Sequence, residues 1–386
     1  MFSYLSHLVC QSCKSVYSIE ENRKQCNCNA PIFAEYNYNL MKKNMTKDEW
    51  ATRPNNIWRY HELLPVFDST YIVSLEESNT PILKFERYGK KASLNNIFVK
   101  NEGALPTGTF KSRGASVGVS KIKEMGMKSI GIATNGNAGS AWAFYAARAG
   151  IPITITMPSS SPLIPQRECE VAGGDLHLIH GTIAEAGKIL KEIIHDDDPN
   201  MYNVSTFNEP YRLEGKKTMG YEIAEQFNWN LPDAIVYPTG GGAGVIGIYK
   251  AFRELQQLGW VGERLPKLVV IQAHGCAPIV KAYNEDVRFT ELWKDPETVA
   301  FGMRVPKPSA DFLILDLIKQ TNGIAISVDD REIQETRNSA VRLEGLHMCP
   351  EGAAALAGTR KLQELGWFSK EDKVLVINTG IGLKNF

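Results

Sequence analysis

Lys111 stands in the run 101–115, NEGALPTGTFKSRGA, where a Pro-Thr-Gly-Thr-Phe turn hands over to a helical pattern. Pro106 and Gly108 make the turn, and Ser112, Arg113 and Gly114 follow at the helix start. A lysine with a backbone fixed in this way suits use as a reagent, because in a sheltered site its amine can condense with an aldehyde and carry protons. Taken alone, a lysine at a helix N-terminus is usually a solvated surface residue. The chemical reading therefore needs other groups.

Three later loops supply them. TNGNA, 134–138, follows a predicted strand and opens an Ala-rich helix. The free amides and dipole of that helix N-terminus suit a carboxylate, and the Asn137 side chain can bond the phenolic oxygen of a pyridoxal ring. The other reading of this loop is an Asn-Gly turn that merely starts a helix. TGGGAG, 239–244, sits between a strand, AIVY, and a helix, VIGIYKAFREL. Backbone amides of Gly240, Gly241, Gly242, Ala243 and Gly244 can close on a phosphate. The loop lacks the terminal Lys-Ser/Thr of a nucleotide P-loop and does not match GxGxxG with a later ribose acid, so a cofactor phosphate monoester fits better than a nucleotide. Its alternative is a close strand-to-helix crossing that needs glycines. NTGIGLK, 378–384, follows the last predicted strand and puts Thr379 at a strand's carboxyl end, where parallel-sheet proteins bind ligands. A threonine hydroxyl there can bond a pyridine nitrogen without forcing a proton onto it, or the segment is an ordinary strand-ending turn. Together the four loops supply every contact that pyridoxal 5'-phosphate needs.

The elements that must position these loops are legible as a pattern. From residue 72 onward, short β-branched apolar runs alternate with amphipathic runs, the signature of crossover units on a mostly parallel sheet. The spacing predicts strands at 129–133, 153–157, 175–179, 234–237, 268–272 and 374–378. It predicts helices at 114–125, 182–194, 217–227, 243–258, 331–346 and 351–365. Residues 281–312, with Pro296, Pro306 and Pro308, show no period and read as a long loop, either functional or a structural excursion.

A chain of 386 residues should hold two or three domains. Its 43 Lys plus Arg equal its 43 Asp plus Glu, so no whole-molecule field draws it to nucleic acid or anionic membrane. No apolar run approaches the ~20 residues of a membrane span. The start MFSYLSHLVCQSCKS has neither a proper hydrophobic stretch nor a small-residue cleavage site, which predicts a cytoplasmic protein. Cys169, Cys276 and Cys349 are isolated and read as small reduced core residues. Cys10, Cys13, Cys26 and Cys28 instead form CxxC, twelve residues, CxC in a polar stretch. Four thiolates from two knuckles would give zinc a closed tetrahedral set, with metal binding folding the segment. Because the second knuckle has a single spacer residue, a metal-free remnant of a zinc ribbon is the alternative.

These stretches resemble the fold-type II pyridoxal phosphate enzymes, the tryptophan synthase β family, and within them the threonine synthases. PTGTFKSRGA is similar to the family's PTGSFKDRG, and ATNGNAGSAWAFYAARAGI to its asparagine loop and following helix. IWRYHELLPV and SNTPILKF resemble the lead-in, RLEGKKTMGYEIAEQ the segment with EGxKT, EGAAALAG a late helix, and NTGIGLK the family's TGHGLK. The resemblance implies a two-domain α/β fold: a Cys-rich, zinc-ribbon-like segment at 1–35, a large domain from 36–105 and 205–386, and a small domain from 106–204. It implies a homodimer acting on a small amino-acid substrate.

The resemblance also implies that Lys111 forms the Schiff base and Asn137 bonds the phenolic oxygen. Residues 240–244 would hold the cofactor phosphate, Thr379 would face the ring nitrogen, and Thr134, Asn135, Gly136 and Ala138 would hold the substrate carboxylate. The implied reaction takes O-phospho-L-homoserine and water to L-threonine and phosphate, with Lys111 as tether, base and acid.

Two departures bear on the substrate. Ser112 stands where the family often has Asp, and the loop reads GGGAG where several threonine synthases read Gly-Asn-Ala-Gly-Asn. Ser159, Ser160, Ser161 and Arg167 in SSSPLIPQR, or Arg304 in the long loop, are candidate replacement anchors for the substrate phosphate. Rival readings are β-replacement such as cysteate synthesis, and dehydration of threonine or serine, whose loops GGGAG resembles. Thr379 and the GIGLK ending speak against dehydration. A third is a pyridoxal-fold protein that has lost catalysis and serves as a zinc-dependent interaction module, against which the intact Lys111 argues.

Overall fold

The computed structural model describes residues 1–21 and 23–385; residue 386, the end of the expected large domain, lies outside them. The chain forms two compact units.

The first unit is Met1–Asn79, Lys111–Tyr221 and Arg253–Trp260. It holds a parallel sheet in the order Asp175–Ile179, Ile153–Pro158, Ile130–Ala133, Tyr202–Asn203. The two central strands are buried along their whole length, as near-continuous apolar runs require. The lysine helix, Lys111–Glu124, packs Ala115, Val119 and Ile122 into this core with Ile130, Ile132, Ile155 and Trp142. It lies so close to the next helix, Asn137–Ala149, that a Cβ at Gly118 would run into the Trp142 indole. An antiparallel sheet, Val16–Tyr17, Leu5–Cys10, Ile32–Tyr36, forms the N-terminal segment.

The second unit is Thr80–Phe110, Glu222–Phe252 and Val261–Phe386. Its six-stranded sheet runs Ile324–Val328, Lys267–Ala273, Ala234–Pro238, Lys373–Asn378, Asn96–Asn101, Ile82–Lys84, parallel except for the last strand. Val236 is level with Val376, so the glycine loop and Thr379 leave the sheet side by side. Ala234–Pro238 has Lys267–Ala273 on its other side, and it is at the carboxyl ends of such parallel strands that open α/β sheets take ligands.

The six expected strands and six expected helices form, with ends displaced by a few residues. The domain boundaries fall elsewhere than expected. Residues 36–79 and 205–221 join the first unit because their apolar groups pack there: Ile57, Trp58, Leu64 and Val66 cluster with Val117 of the lysine helix. The 281–312 stretch is tied down. Thr290 donates N–H and Oγ1–H to Asp311 at 2.8 and 2.7 Å, and Thr298 Oγ1 donates to Asp330 at 2.7 Å.

The strand Asn96–Asn101 escaped the pattern because a lysine interrupts it. Lys100 is fully buried and donates to Glu222 at 2.9 Å, Gln226 at 2.8 Å and the Thr80 carbonyl at 3.2 Å. Removing one member of a buried ion pair leaves the other uncompensated, so Lys100→Met is expected to cost about 3–5 kcal/mol. A denaturant midpoint lowered accordingly in equilibrium unfolding checks this; an unchanged midpoint contradicts it.

Candidate active site

The turn before Lys111 is held by the C-terminal segment. Phe110 N–H donates to the Thr379 carbonyl at 3.0 Å, Ile381 N–H to the Gly108 carbonyl at 2.8 Å, and Thr109 bridges to Gly380. Lys384 is buried and donates Nζ–H to the Thr107 carbonyl at 3.0 Å. The Phe110 ring meets Tyr237, at the end of the strand before the glycine loop, edge-on at 6.2 Å. Four hydrogen-bonded or paired residues in succession thus fix the backbone, and Lys111 is the next residue, the first of its helix. Arg113, two residues on, is buried and donates to Thr218 Oγ1 at 3.0 Å.

The asparagine loop is shaped by Thr134, whose buried Oγ1 accepts from Gly136 N–H at 3.0 Å and Gly139 N–H at 3.1 Å. Gly136 sits at φ 128° and ψ −86°, a conformation closed to L side chains, and its added Cβ would lie 3.1 Å from Pro165. The helix begins at Asn137. Asn137 Oδ1 is buried without a hydrogen-bond partner among the described residues. Leaving a buried polar atom unmet costs about 1–3 kcal/mol, and an amide is a partner that a ligand's polar oxygen satisfies, by its N–H₂ after a flip. Asn135 and Ala138 are half-buried beside it.

Of the four candidate anchors in SSSPLIPQR, the structure exposes three. The segment forms the helix Leu163–Val171, whose Arg167 is 68% exposed and paired with Glu170 at 2.8 Å. Ser159 and Ser160 are exposed, and Ser161 is the buried member, its Oγ without a hydrogen-bond partner among the described residues. Arg167 thus faces solvent and Glu170. Arg304, in the second unit, lies over the Phe301 ring at 5.3 Å.

In the glycine loop, close approach dictates the residue type. A Cβ at Gly240 would stand 2.6 Å from the Gly302 carbonyl and 3.0 Å from Val305, both from the long excursion. Gly242 has φ +78°, and its Cβ would meet the Ile314 side chain. At Gly244 the obstacle would be the Tyr237 hydroxyl. Packing thus accounts for part of the glycine content, and it leaves the amides at the start of the 16-residue helix Ala243–Leu258 bare of side chains.

Thr379 is buried, with Oγ1 3.5 Å from Cys349 Sγ. Cys349 caps the helix Pro350–Glu364, accepting from Gly352 N–H at 3.3 Å, and burial pushes its thiol pKa up, so it stays protonated. Sequence reasoning treated it as a core residue. It also passed over Arg212 and Lys216, two basic residues four apart on the buried helix Tyr211–Gln226. Burial first, then the charges of Arg212 and Lys111, hold Lys216 well below the usual lysine range.

The four N-terminal cysteines converge. All four Sγ atoms lie within 4.8 Å of one another, with Cys10 to Cys28 at 3.5 Å, Cys13 to Cys26 at 3.4 Å and Cys13 to Cys28 at 3.7 Å. The sulfur edges of a tetrahedron with Zn–S near 2.3 Å are roughly 3.8 Å, so the single spacer residue does not prevent the set from fitting such an ion. Lys14 and Asn29, each just after a knuckle, take positive φ and turn the chain back.

Residues 73–380 match the family model described as "Pyridoxal-phosphate dependent enzyme". The chain is 36% identical to the threonine synthase of Methanosarcina acetivorans, over 98% of this chain and 92% of that one. It is 34% identical to that of Methanocaldococcus jannaschii, over 97% and 92%. Among solved structures it resembles maize serine racemase, with a TM-score of 0.68 at 21% identity over 79% of this chain and 88% of that one. It also resembles a threonine deaminase of Solanum lycopersicum, with a TM-score of 0.66 at 22% identity over 78% and 79%. These structural likenesses concern the fold.

Proposed function

This chain belongs to the pyridoxal-phosphate dependent enzymes, among the threonine synthases, and on that premise we propose that it converts O-phospho-L-homoserine and water to L-threonine and phosphate. The observation that carries the assignment of the lysine is the clasp on residues 107–110: Phe110 is bonded to Thr379 and set against Tyr237, and the next peptide unit is that of Lys111. The fit of the cofactor rests on the unmet Asn137 amide and on the amides of 240–244, kept bare by glycines that a Cβ could not replace.

When bound, the cofactor supplies an aldehyde that links to amines and a ring that draws electrons from the substrate's α carbon. In our reading Lys111 Nζ is the tether between turnovers. With substrate bound, Nζ would take the α proton and, once that proton is passed on, a β proton; after phosphate has left it would return a proton to the γ carbon, water would add at the β carbon, and a last proton would go back to the α carbon. Asn137 would help hold the cofactor through its amide, and Thr379 would offer its ring a neutral hydroxyl. The amides of 134–138 take the substrate carboxylate at the helix N-terminus.

Incubation with O-phospho-L-homoserine should release phosphate and threonine in equal amounts. Formation of 2-oxobutyrate from threonine, without phosphate release from O-phospho-L-homoserine, would put a dehydratase in its place; the GGGAG loop is what keeps that reading open.

For the Cys cluster we propose one structural zinc held by Cys10, Cys13, Cys26 and Cys28, supported by the convergence of their sulfurs. Stripping it with a chelator should unfold the segment around 11–31, since metal binding and folding are coupled in such sites. Proteolysis followed by mass spectrometry reads this as new cleavage between Cys10 and Ile32. Absence of metal from freshly purified protein, with cleavage unaffected by chelator, contradicts it. The reading extends to a homodimer in the cytoplasm, supported by the family resemblance, and sedimentation tests the first part.

A further inference from the structure

The N-terminal sheet carries the thiol cluster at one end and Tyr36 at the other. Strand Leu5–Cys10 ends on the first cysteine and sets Cys10 opposite Ile32, while Leu5 lies opposite Tyr36, the last residue of Ile32–Tyr36. The four sulfurs therefore gather one end of a short ladder. From the other end Tyr36 enters the interior, 4% exposed, and donates its hydroxyl to Glu214 Oε2 at 2.7 Å. Burial first, then the charge of Glu214, holds that hydroxyl well above the usual tyrosine range, so it stays a donor. The segment docks at a second point: Gln25, beside Cys26, donates Nε2–H to Asn208 Oδ1 at 2.6 Å, and the Phe33 ring faces Phe207 at 6.3 Å.

Glu214 belongs to a buried polar set that the reaction does not use. Lys217 pairs with Glu214 at 2.5 Å and with Glu254 at 3.0 Å, and its Nζ stands 4.0 Å from the centre of the Tyr36 ring. Tyr221 donates its hydroxyl to Glu254 as well. Glu214, Lys217 and Tyr221 are fully buried, and a buried set of charges keeps its geometry only while its partners stay in place. Gly215, the residue after Glu214, is where the helix Tyr211–Gln226 touches the lysine helix: a Cβ there would run into the Arg113 carbonyl and lie 2.9 Å from Gly114 Cα. Arg113 is two residues from Lys111. The path from the Cys segment to the lysine is thus one hydrogen bond, one peptide unit and one backbone contact.

We propose that Tyr36 is a positioning residue for Lys111: the Cys segment, folded around its cluster, uses the Tyr36 hydroxyl to fix Glu214 and with it the helix that backs the lysine. This rests on the reading of Lys111 as the cofactor's tether and of the four cysteines as a zinc site. A sheet with strands of six, two and five residues is too small to stand alone, so the cluster sets whether Tyr36 is held in register. Loss of the metal loosens Tyr36, lets Glu214 and Lys217 move together, and shifts the backbone on which Arg113 rests. The placement of the lysine thereby depends on a site remote from the chemistry.

The test measures bound zinc, the affinity of the apoprotein for pyridoxal 5'-phosphate, and kcat and KM of the holoenzyme. Tyr36→Phe keeps the ring beneath Lys217 and removes only the hydroxyl. It should retain its zinc and weaken cofactor affinity about three- to tenfold, below the roughly ten- to hundredfold of a charged hydrogen bond lost at the ligand itself. Its kcat should fall by about the same factor, with KM for O-phospho-L-homoserine within about twofold. Chelator should produce both losses in the wild type and add little to them in Tyr36→Phe, because the two act through one link. Losses that add in full overturn the proposal, as does wild-type cofactor affinity in Tyr36→Phe or in chelator-treated wild type. Should Tyr36→Phe fail to fold, wild type with and without chelator carries the comparison. Protein purified without metal sinks the zinc reading, and Tyr36→Phe then decides alone. Loss of cofactor affinity in a protein that does not turn over O-phospho-L-homoserine supports the link from Tyr36 and sinks only the substrate assignment.

Discussion

Lys111→Ala should lower kcat by at least about a thousandfold, since one residue serves as covalent anchor and as proton carrier, and proton transfer by a positioned side chain alone contributes about 10²–10⁴-fold. The loss should fall on kcat far more than on stability, because Lys111 opens a helix whose fixing contacts lie on both sides of it. Phe110 keeps its hydrogen bond to Thr379, and Ala115, Val119 and Ile122 keep their places in the core. Cofactor should still bind, through the amides of 240–244 and Asn137, but without a covalent link. Unchanged thermal unfolding together with loss of the lysine-bound absorbance is the expected pair of observations. A variant retaining a tenth or more of wild-type kcat contradicts the role.

Gly242→Ala should damage the cofactor site from the opposite direction, by misplacing the phosphate cradle. At φ +78° an L residue is strained by about 1–2 kcal/mol, and the new methyl would meet the Ile314 side chain on the helix Asp311–Gln320. Either the loop or that helix must move, and with it the amides at the start of Ala243–Leu258. Each 1.4 kcal/mol is a factor of ten in binding, so cofactor affinity should fall about 10- to 100-fold with a smaller change in kcat at saturating cofactor. Titration of the apoprotein reads the affinity. Wild-type affinity in this variant would mean that the loop's glycines serve packing against Ile314, Gly302 and Tyr237 and nothing else.

That second outcome marks how far the sequence could go. The glycine loop reads as a phosphate cradle with a tight crossing as its alternative, and the crossing is what the structure shows: Gly302, Ile314 and Tyr237 crowd the loop, and the small residues they require leave its amides bare. The strands on each side of the loops were legible because buried parallel strands are near-continuous apolar runs. Asn96–Asn101 was not, because a buried, paired lysine looks like a surface residue in one dimension. The same blindness hid Arg212 and Lys216. A basic residue signals exposure by its type, and what buries these two is contact between glycine-bearing helix faces about one hundred residues apart, at Gly114 and Gly215. Arg167 shows the reverse: its type suits an anion, but the chain there forms a helix that turns the guanidinium outward to Glu170. The NTGIGLK ending was read through Thr379, yet much of its role is to strap residues 107–110, with Lys384 and Ile381 holding the turn that presents Lys111.

The central claim is that the ε-amine of residue 111 is the group joined to pyridoxal 5'-phosphate. Reducing the holoenzyme with borohydride fixes that bond permanently, and peptide mapping by mass spectrometry then locates it. The account predicts one pyridoxyl group per chain, on the peptide containing Lys111 and absent from Lys111→Ala. Label on any other lysine, Lys216 included, or an unlabelled Lys111 in active protein, contradicts it.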